Sequence, residues 1–169
     1  MRDPARAGRL RDAAAAAGVA DRLTIEALDV TDPASIAATV PRVLAGGPLA
    51  AVVHNAGVAA AGAFEDLPEA EIRRVMETNF FGPAQIIRLV APIMPHGSHI
   101  VNISSMGGFQ GSSKYRGLSV YSASKAAISC LSECLAGEFS ELGISVNCLA
   151  LGSVFFLLTR YNLERRKWS

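Results

Sequence analysis

Short apolar runs alternate with amphipathic stretches along this chain, and most boundaries carry a helix-start or turn signal. Arg2 to Ala17 reads as an amphipathic helix opened by Asp3-Pro4 and stopped at Gly18. Leu23 to Val30 alternates as a strand does. Asp32-Pro33 begins a second helix that ends near Gly46-Gly47-Pro48. Leu49 to Val53 is a short apolar run of the doubly buried type, and it opens into His54-Asn55-Ala56-Gly57. A further helix starts near Pro68-Glu69 and carries Ile72, Val75, Met76, Phe80, Ile86, Ile87 and Val90 on its apolar side. Gly82-Pro83 should kink it, because proline lacks a backbone donor and crowds the preceding turn. Ser98 to Ser104 is the next strand, followed by a polar, glycine-containing loop over 105–119. The helix holding Tyr121 then runs to about Leu142, Gly143 ends it, and Ile144 to Leu149 is a last strand. Such alternation predicts an α/β fold with a mostly parallel sheet and right-handed crossovers.

Chemistry concentrates in Tyr121-Ser122-Ala123-Ser124-Lys125. Residues four apart share a helix face, so a phenol and an ammonium are presented side by side. A cation beside a phenol stabilises the phenolate and draws the group toward acid/base work. The plain alternative is an ordinary solvated surface pair. Small neighbours leave room for a flat ligand or a closely packed helix. Upstream, the strand ending in Ser104-Ser105 sets two hydroxyls at its carboxyl end, where open parallel sheets bind ligands. Asn79, just before the Gly82-Pro83 kink, is either part of a polar relay or a simple helix-surface Asn.

Composition narrows the class. With 169 residues, half of them hydrophobic and 18% charged, the chain suits one well-buried domain, without repeat or linker. A net charge of +1 argues against a nucleic-acid footprint. No apolar run approaches the ~20 residues that span a bilayer, and the N-terminus has no signal-peptide core. Three cysteines suggest a reducing compartment, hence the cytoplasm. Cys130 and Cys134 read as small core residues, and His54, His96 and His99 have no metal-site spacing. The hydrophobic Val154-Phe155-Phe156-Leu157-Leu158 and basic Arg160 to Ser169 fit a helix with a snorkelling end, a membrane-surface contact, or sequence foreign to the rest; the last is preferred.

Together these pieces resemble the short-chain dehydrogenase/reductase family over about residues 1–154, leaving 155–169 as a divergent tail. His54-Asn55-Ala56-Gly57 is similar to the family's Asn-Asn-Ala-Gly turn, with His for the first Asn. Asn79, Ser105, Tyr121 and Lys125 match the catalytic Asn, Ser and Tyr-x3-Lys set in the expected order. The resemblance implies a Rossmann-like doubly wound sheet and an NAD(P)-dependent oxidoreductase interconverting a secondary alcohol and a ketone. Tyr121 would handle the proton and Lys125 would tune it and hold the nicotinamide ribose. Ser105 would hold the substrate oxygen, and Asn79 would position a relay water. Cofactor contacts implied are Asp29 and Val30 at adenine, Asn55, Ala56 and Gly57 at the adenosine side, and Gly152, Ser153 and Val154 at the nicotinamide amide. Arg2 either pairs with a 2′-phosphate, favouring NADP over NAD, or is simply exposed. A full-length parent is expected to form homo-oligomers, with no nucleic-acid or membrane partner.

Departures from the family pattern qualify this. No Gly-x3-Gly-x-Gly phosphate loop occurs in the sequence, Leu151 stands where proline is usual, and Phe156 replaces a cofactor-binding Thr. The chain is therefore expected to lack the family's first strand–helix–strand unit and its C-terminal substrate region. In the order 3-2-1-4-5-6 that omission falls between Leu23–Val30 and Leu49–Val53. Two rival readings are a non-catalytic association fragment and, below it, a sugar-nucleotide epimerase or dehydratase.

Overall fold

The structure, a computed structural model, describes residues 2–152. Three parallel strands, β1 (Ala51–His54), β2 (His99–Ser105) and β3 (Ser145–Leu151), form a sheet in the order β1-β2-β3. All three therefore end at the same edge. Helices α1 (Gly8–Ala16) and α2 (Pro33–Leu44) precede β1, and α5 (Ser119–Glu138) links β2 to β3. Between β1 and β2 one helical path runs through α3 (Glu69–Met76), a π-helical turn (Glu77–Phe81) and α4 (Gly82–Val90). The kink expected at Gly82-Pro83 is taken up by that wider turn, closed by a bond from the Gly82 N–H to the Glu77 carbonyl. At its start α2 follows the sequence rules, since the Asp32 side chain accepts from the Ala34 N–H and Pro33 needs no partner.

The core lies on one face of the sheet. Alternate residues Ile100, Asn102 and Ser104 of β2 are buried toward the helices. Ile36 of α2, Ile86, Ile87 and Val90 of α4, Ile144 just before β3 and Val146 of β3 close around Ile100. The opposite face is more open: Val53 is 59% exposed, Leu149 48% and Leu151 45%. The doubly buried strand expected from Leu49 to Val53 is thus corrected to a four-residue strand with one open face. Burial on both faces requires a second covering layer, and among the described residues none lies over Val53.

Leu23 to Val30 is likewise not a strand. A strand is made by its ladder partners, and no other described strand runs beside this segment. Side chains of α2 stand in for them: the Asp29 N–H donates to Ser35 Oγ (3.0 Å), and Thr39 Oγ1 donates to the Ala27 carbonyl (2.8 Å). Arg42 pairs with Glu26 at 2.8 Å. Leu28 and Val30 still pack against the core, as the alternating pattern required.

Cys130 and Cys134, expected in the core, are exposed. The buried face of α5 carries Val120, Ser124, Lys125, Ile128 and Ser132. Positions two residues beyond Ile128 and Ser132 point to the other side of a helix with 3.6 residues per turn.

Gly82 allows the closest approach in this layer: a Cβ there would collide with the carbonyl oxygen of Val30. Gly82→Ala should therefore destabilise the fold by about 1–3 kcal/mol despite the better helix propensity of alanine. Gly137 of α5 has open space around it, and Gly137→Ala should stabilise by about 0.5–1 kcal/mol. Urea midpoints of the two variants should move in opposite directions.

Candidate active site

Each strand delivers a loop to the common carboxyl edge: 55–62 after β1, the turn Met106–Gly108 after β2, and Gly152 after β3. The first turn of α5 closes over this edge. Lys125 is buried, and its Nζ donates to the carbonyl of Ile103 on β2 at 2.7 Å. The same ammonium lies 5.8 Å from the centroid of the Tyr121 ring, so phenol and amine share one side of the helix. Burial pushes the Lys125 amine below its usual range, with a smaller opposing influence from Cys148.

Asn79 is buried rather than on the helix surface. Its Oδ1 accepts from the Val58 N–H (2.8 Å), and its Nδ2 donates to the Val58 carbonyl and to Ser124 Oγ, both at 2.9 Å. Ser124 in turn donates to the Tyr121 carbonyl at 2.7 Å. The π turn, the loop after β1 and the start of α5 are tied together by these bonds. Gly57 sits against them, since a Cβ there would lie 3.4 Å from Lys125 Nζ and 3.6 Å from Asn79 Oδ1. Four residues beyond Asn79, Pro83 has no N–H to offer the Asn79 carbonyl.

Ser105 ends β2, and its hydroxyl accepts from the Gly107 N–H at 3.2 Å. Gly107 lies between two hydroxyls: its Cβ would be 3.0 Å from Ser122 Oγ and 3.7 Å from Ser105 Oγ. Gly108 presses on the backbone of α5, where a Cβ would stand 2.5 Å from the Lys125 carbonyl carbon. Asn79, Tyr121 and Lys125 therefore meet in space with Gly57, and Ser105 joins them through the glycine turn.

Other positions are placed less centrally. Asn55 and Ala56 are exposed in the loop between His54 and Gly57. Val30 meets Gly82 beside the π turn. The Asp29 carboxylate accepts from the N–H and the hydroxyl of Thr31, which hold it below its usual range, with a small contribution from the Arg2 charge. Arg2 is exposed and Gly152 is exposed. Ser153, Val154 and the 155–169 tail lie outside the described residues.

Sequence reasoning missed two hydroxyls, Ser129 and Ser132, and the Asn102 amide beneath the site. His54 Nδ1 lies 2.8 Å from Asn102 Oδ1, and Asn102 Nδ2 donates to Ser132 Oγ at 2.8 Å, so the imidazole is the donor to Asn102. Ser104 and Ser129 both donate to the Lys125 backbone carbonyl, or through each other, at 2.8 Å. Period-two placement of Asn102 and Ser104 on the core face of a strand was the available signal.

The arrangement can hold a phenol and an ammonium together at the ligand-binding edge of a parallel sheet, backed by a fully bonded amide. Comparison with known proteins decides the family. Residues 3–167 match the profile of the short chain dehydrogenase family. The chain belongs to that family. A curated relative, the uncharacterized oxidoreductase YusZ of Bacillus subtilis (strain 168), is 40% identical over 154 residues, which is 90% of this chain and 54% of the relative. A short-chain dehydrogenase structure from Streptomyces avermitilis aligns with TM-score 0.82 and 37% identity, over 94% of this chain and 56% of that one. An NAD+-bound xylitol dehydrogenase aligns with TM-score 0.71 and 27% identity, over 80% of this chain and 54% of that one. The chain thus spans about half the length of the short-chain dehydrogenases it matches. Membership of this oxidoreductase family and a Rossmann-like parallel sheet are in agreement, β1-β2-β3 being the 4-5-6 half of the doubly wound order.

His54 distinguishes this chain from the Asn-Asn-Ala-Gly form of the turn. Burial pushes its imidazole below the usual range, partly offset by the bond to Asn102, and Nε2 has no partner. With the folded value lowered, the unfolded chain binds more protons in the window between that value and about 6.5, so stability falls as pH drops through it. His54→Asn should flatten this acid-side loss, read as urea midpoints compared at pH 7 and pH 5.

Proposed function

We propose that this short-chain dehydrogenase chain carries the catalytic half of an NAD(P)-dependent enzyme interconverting a secondary alcohol and a ketone. The observation that supports the reading most is the buried Lys125 ammonium shared between the Ile103 carbonyl and the Tyr121 ring. An ammonium has three donors, and Ile103 uses one; the others remain to hold ribose hydroxyls at the edge formed by Gly57. The residues present fit a nicotinamide ribose. When bound, a nicotinamide supplies the hydride donor or acceptor.

In this reading Tyr121 gives a proton to a carbonyl oxygen or takes one from an alcohol. Lys125 stabilises the phenolate that Tyr121 becomes. Ser105 holds the substrate oxygen. The Asn79 side chain is fully spent on Val58 and Ser124, so its backbone carbonyl, which Pro83 cannot serve, is the group left to hold a relay water beside Lys125. Asp29, Val30, Asn55 and Ala56 line the adenosine side, and Arg2, whose charge reaches Asp29, favours NADP over NAD. The three free cysteines fit a reducing, cytoplasmic setting.

Phosphate contacts are the weak point of the chain taken alone, because no glycine-rich loop at a helix N-terminus occurs in its sequence. Isothermal titration of the 169-residue chain with NADPH and NADH should give dissociation constants above the micromolar range. Micromolar binding would show that the loop is dispensable here. At millimolar cofactor, Tyr121→Phe should lower secondary-alcohol oxidation by about 100-fold or more, followed by nicotinamide absorbance. Oxidation that survives the substitution would remove Tyr121 from the chemistry.

A second reading, association of two copies through α5 and the Asn79 helix, draws on exposed Phe81 and Leu89 and the open space at Gly137. Such association should survive Tyr121→Phe.

A further inference from the structure

The loop between Ser105 and Tyr121 leaves large apolar side chains in water beside the candidate active site. Met106 follows Ser105 directly and is 43% exposed, and Phe109, which caps the same turn, is 56% exposed. Tyr115, farther along, is exposed as well. The polar groups of the loop do the opposite and turn inward. Ser112 Oγ donates to the Met106 and Phe109 carbonyls, and Lys114 Nζ donates to the Phe109 carbonyl and to Ser112 Oγ. The Phe109 N–H closes the turn onto the Met106 carbonyl at 3.1 Å. The backbone is thus pinned by the loop's own hydroxyl and ammonium while the thioether and the phenyl ring are held outward. A bond of 3.1 Å from the Gly62 N–H to the Gly117 carbonyl ties this loop to the one after β1, where Phe64 is also exposed.

Resting on the oxidoreductase reading above, we propose that Met106 and Phe109 form a shelf for the alkyl arm of the substrate, an uncharged secondary alcohol or ketone with a long hydrocarbon chain. Clustered exposed apolar side chains next to a reactive edge mark a binding surface, and the chemistry of the shelf selects its occupant. A polyhydroxylated substrate needs donors and acceptors beside the reacting carbon, because every hydroxyl left unpaired on burial is costly. The side chains that follow Ser105 cannot supply them, and Ser112 is already committed to two carbonyls. A cationic substrate needs a carboxylate, and residues 106–120 contain neither Asp nor Glu. An alkyl arm asks only for apolar contact, which is worth about fourfold in affinity for each fully buried methylene. Methionine, unbranched and polarizable, moulds itself to such a chain.

Saturation-transfer NMR titrations of the full 169-residue chain without cofactor test this, with 2-octanone, 2-butanone, 7-oxooctanoate and fructose as probes. The octanone should bind about 10-fold or more tightly than the butanone. It should also bind more tightly than 7-oxooctanoate, the same chain ending in a carboxylate, and fructose should not bind at millimolar concentration. Met106→Ser and Phe109→Ser should each weaken octanone binding by about 5-fold, and Phe109→Leu should restore it. Val53→Ser, on the open face of the sheet, should leave it unchanged. Circular dichroism should show the same fold in every variant, since the substituted side chains are exposed. Equal binding of the two ketones, no binding of octanone, preference for fructose or the keto acid, or a loss caused by Val53→Ser in place of Phe109→Ser would overturn the proposal. The readout is independent of hydride transfer. A chain that binds octanone by these residues yet oxidises no secondary alcohol at millimolar cofactor would remove the oxidoreductase reading alone, whereas turnover without a chain-length preference in binding would remove the alkyl shelf alone.

Discussion

Keeping one ammonium group out of water is the constraint around which this structure is arranged. A buried charge is costly unless it is bonded on several sides. Lys125 meets that demand through the Ile103 carbonyl, which ties α5 to the carboxyl end of β2, and through the face of the Tyr121 ring. Its own backbone carbonyl accepts from Ser104 and Ser129, so the residue is anchored at both ends. Local order at the sheet edge follows from this. If the β2–α5 register slipped by one residue, Ile103 would turn to the wrong place and the ammonium would lose its acceptor.

Close backbone approach is the second element. Gly108 lets the turn after β2 lie directly on α5, and Gly57 brings the loop after β1 within reach of both Lys125 and Asn79. Asn79 then spends every polar atom of its amide on that loop and on Ser124. The wide π turn around it is explained by the same geometry, since a π turn re-aims side chains within an otherwise continuous helix. Three separate chain segments are thereby held in one relative position, which is what orientation-based catalysis requires.

Polar groups elsewhere on the core face serve the same end by different means. Asn102 joins His54 on β1 to Ser132 on α5 beneath the site. An apolar residue at position 102 would leave the imidazole without a partner in a dry interior, so the network specifies which strand faces which helix. Meanwhile the other sheet face, with Val53, Leu149 and Leu151 open, contributes no comparable constraint among the described residues.

Most of the order of helices and strands, the cap at Asp32-Pro33 and the Tyr121–Lys125 pairing were legible in residue order, because each depends on interactions within a few residues; the helix expected to reach Leu142 ends instead at Glu138, with Phe139 as its cap. Leu23 to Val30 carried a true strand pattern yet forms none, since a ladder needs a neighbour that local pattern cannot supply. Cys130 and Cys134 looked like core residues until the buried face of α5 was set by Lys125 and Ile128. The burial of Asn79 against Val58 and Ser124, the bond from Lys125 to the Ile103 carbonyl, and the His54–Asn102–Ser132 chain join residues 21 to 48 positions apart. Contacts of that range are decided only when the parallel register is in place, because no local propensity reports which distant side chain will be opposite.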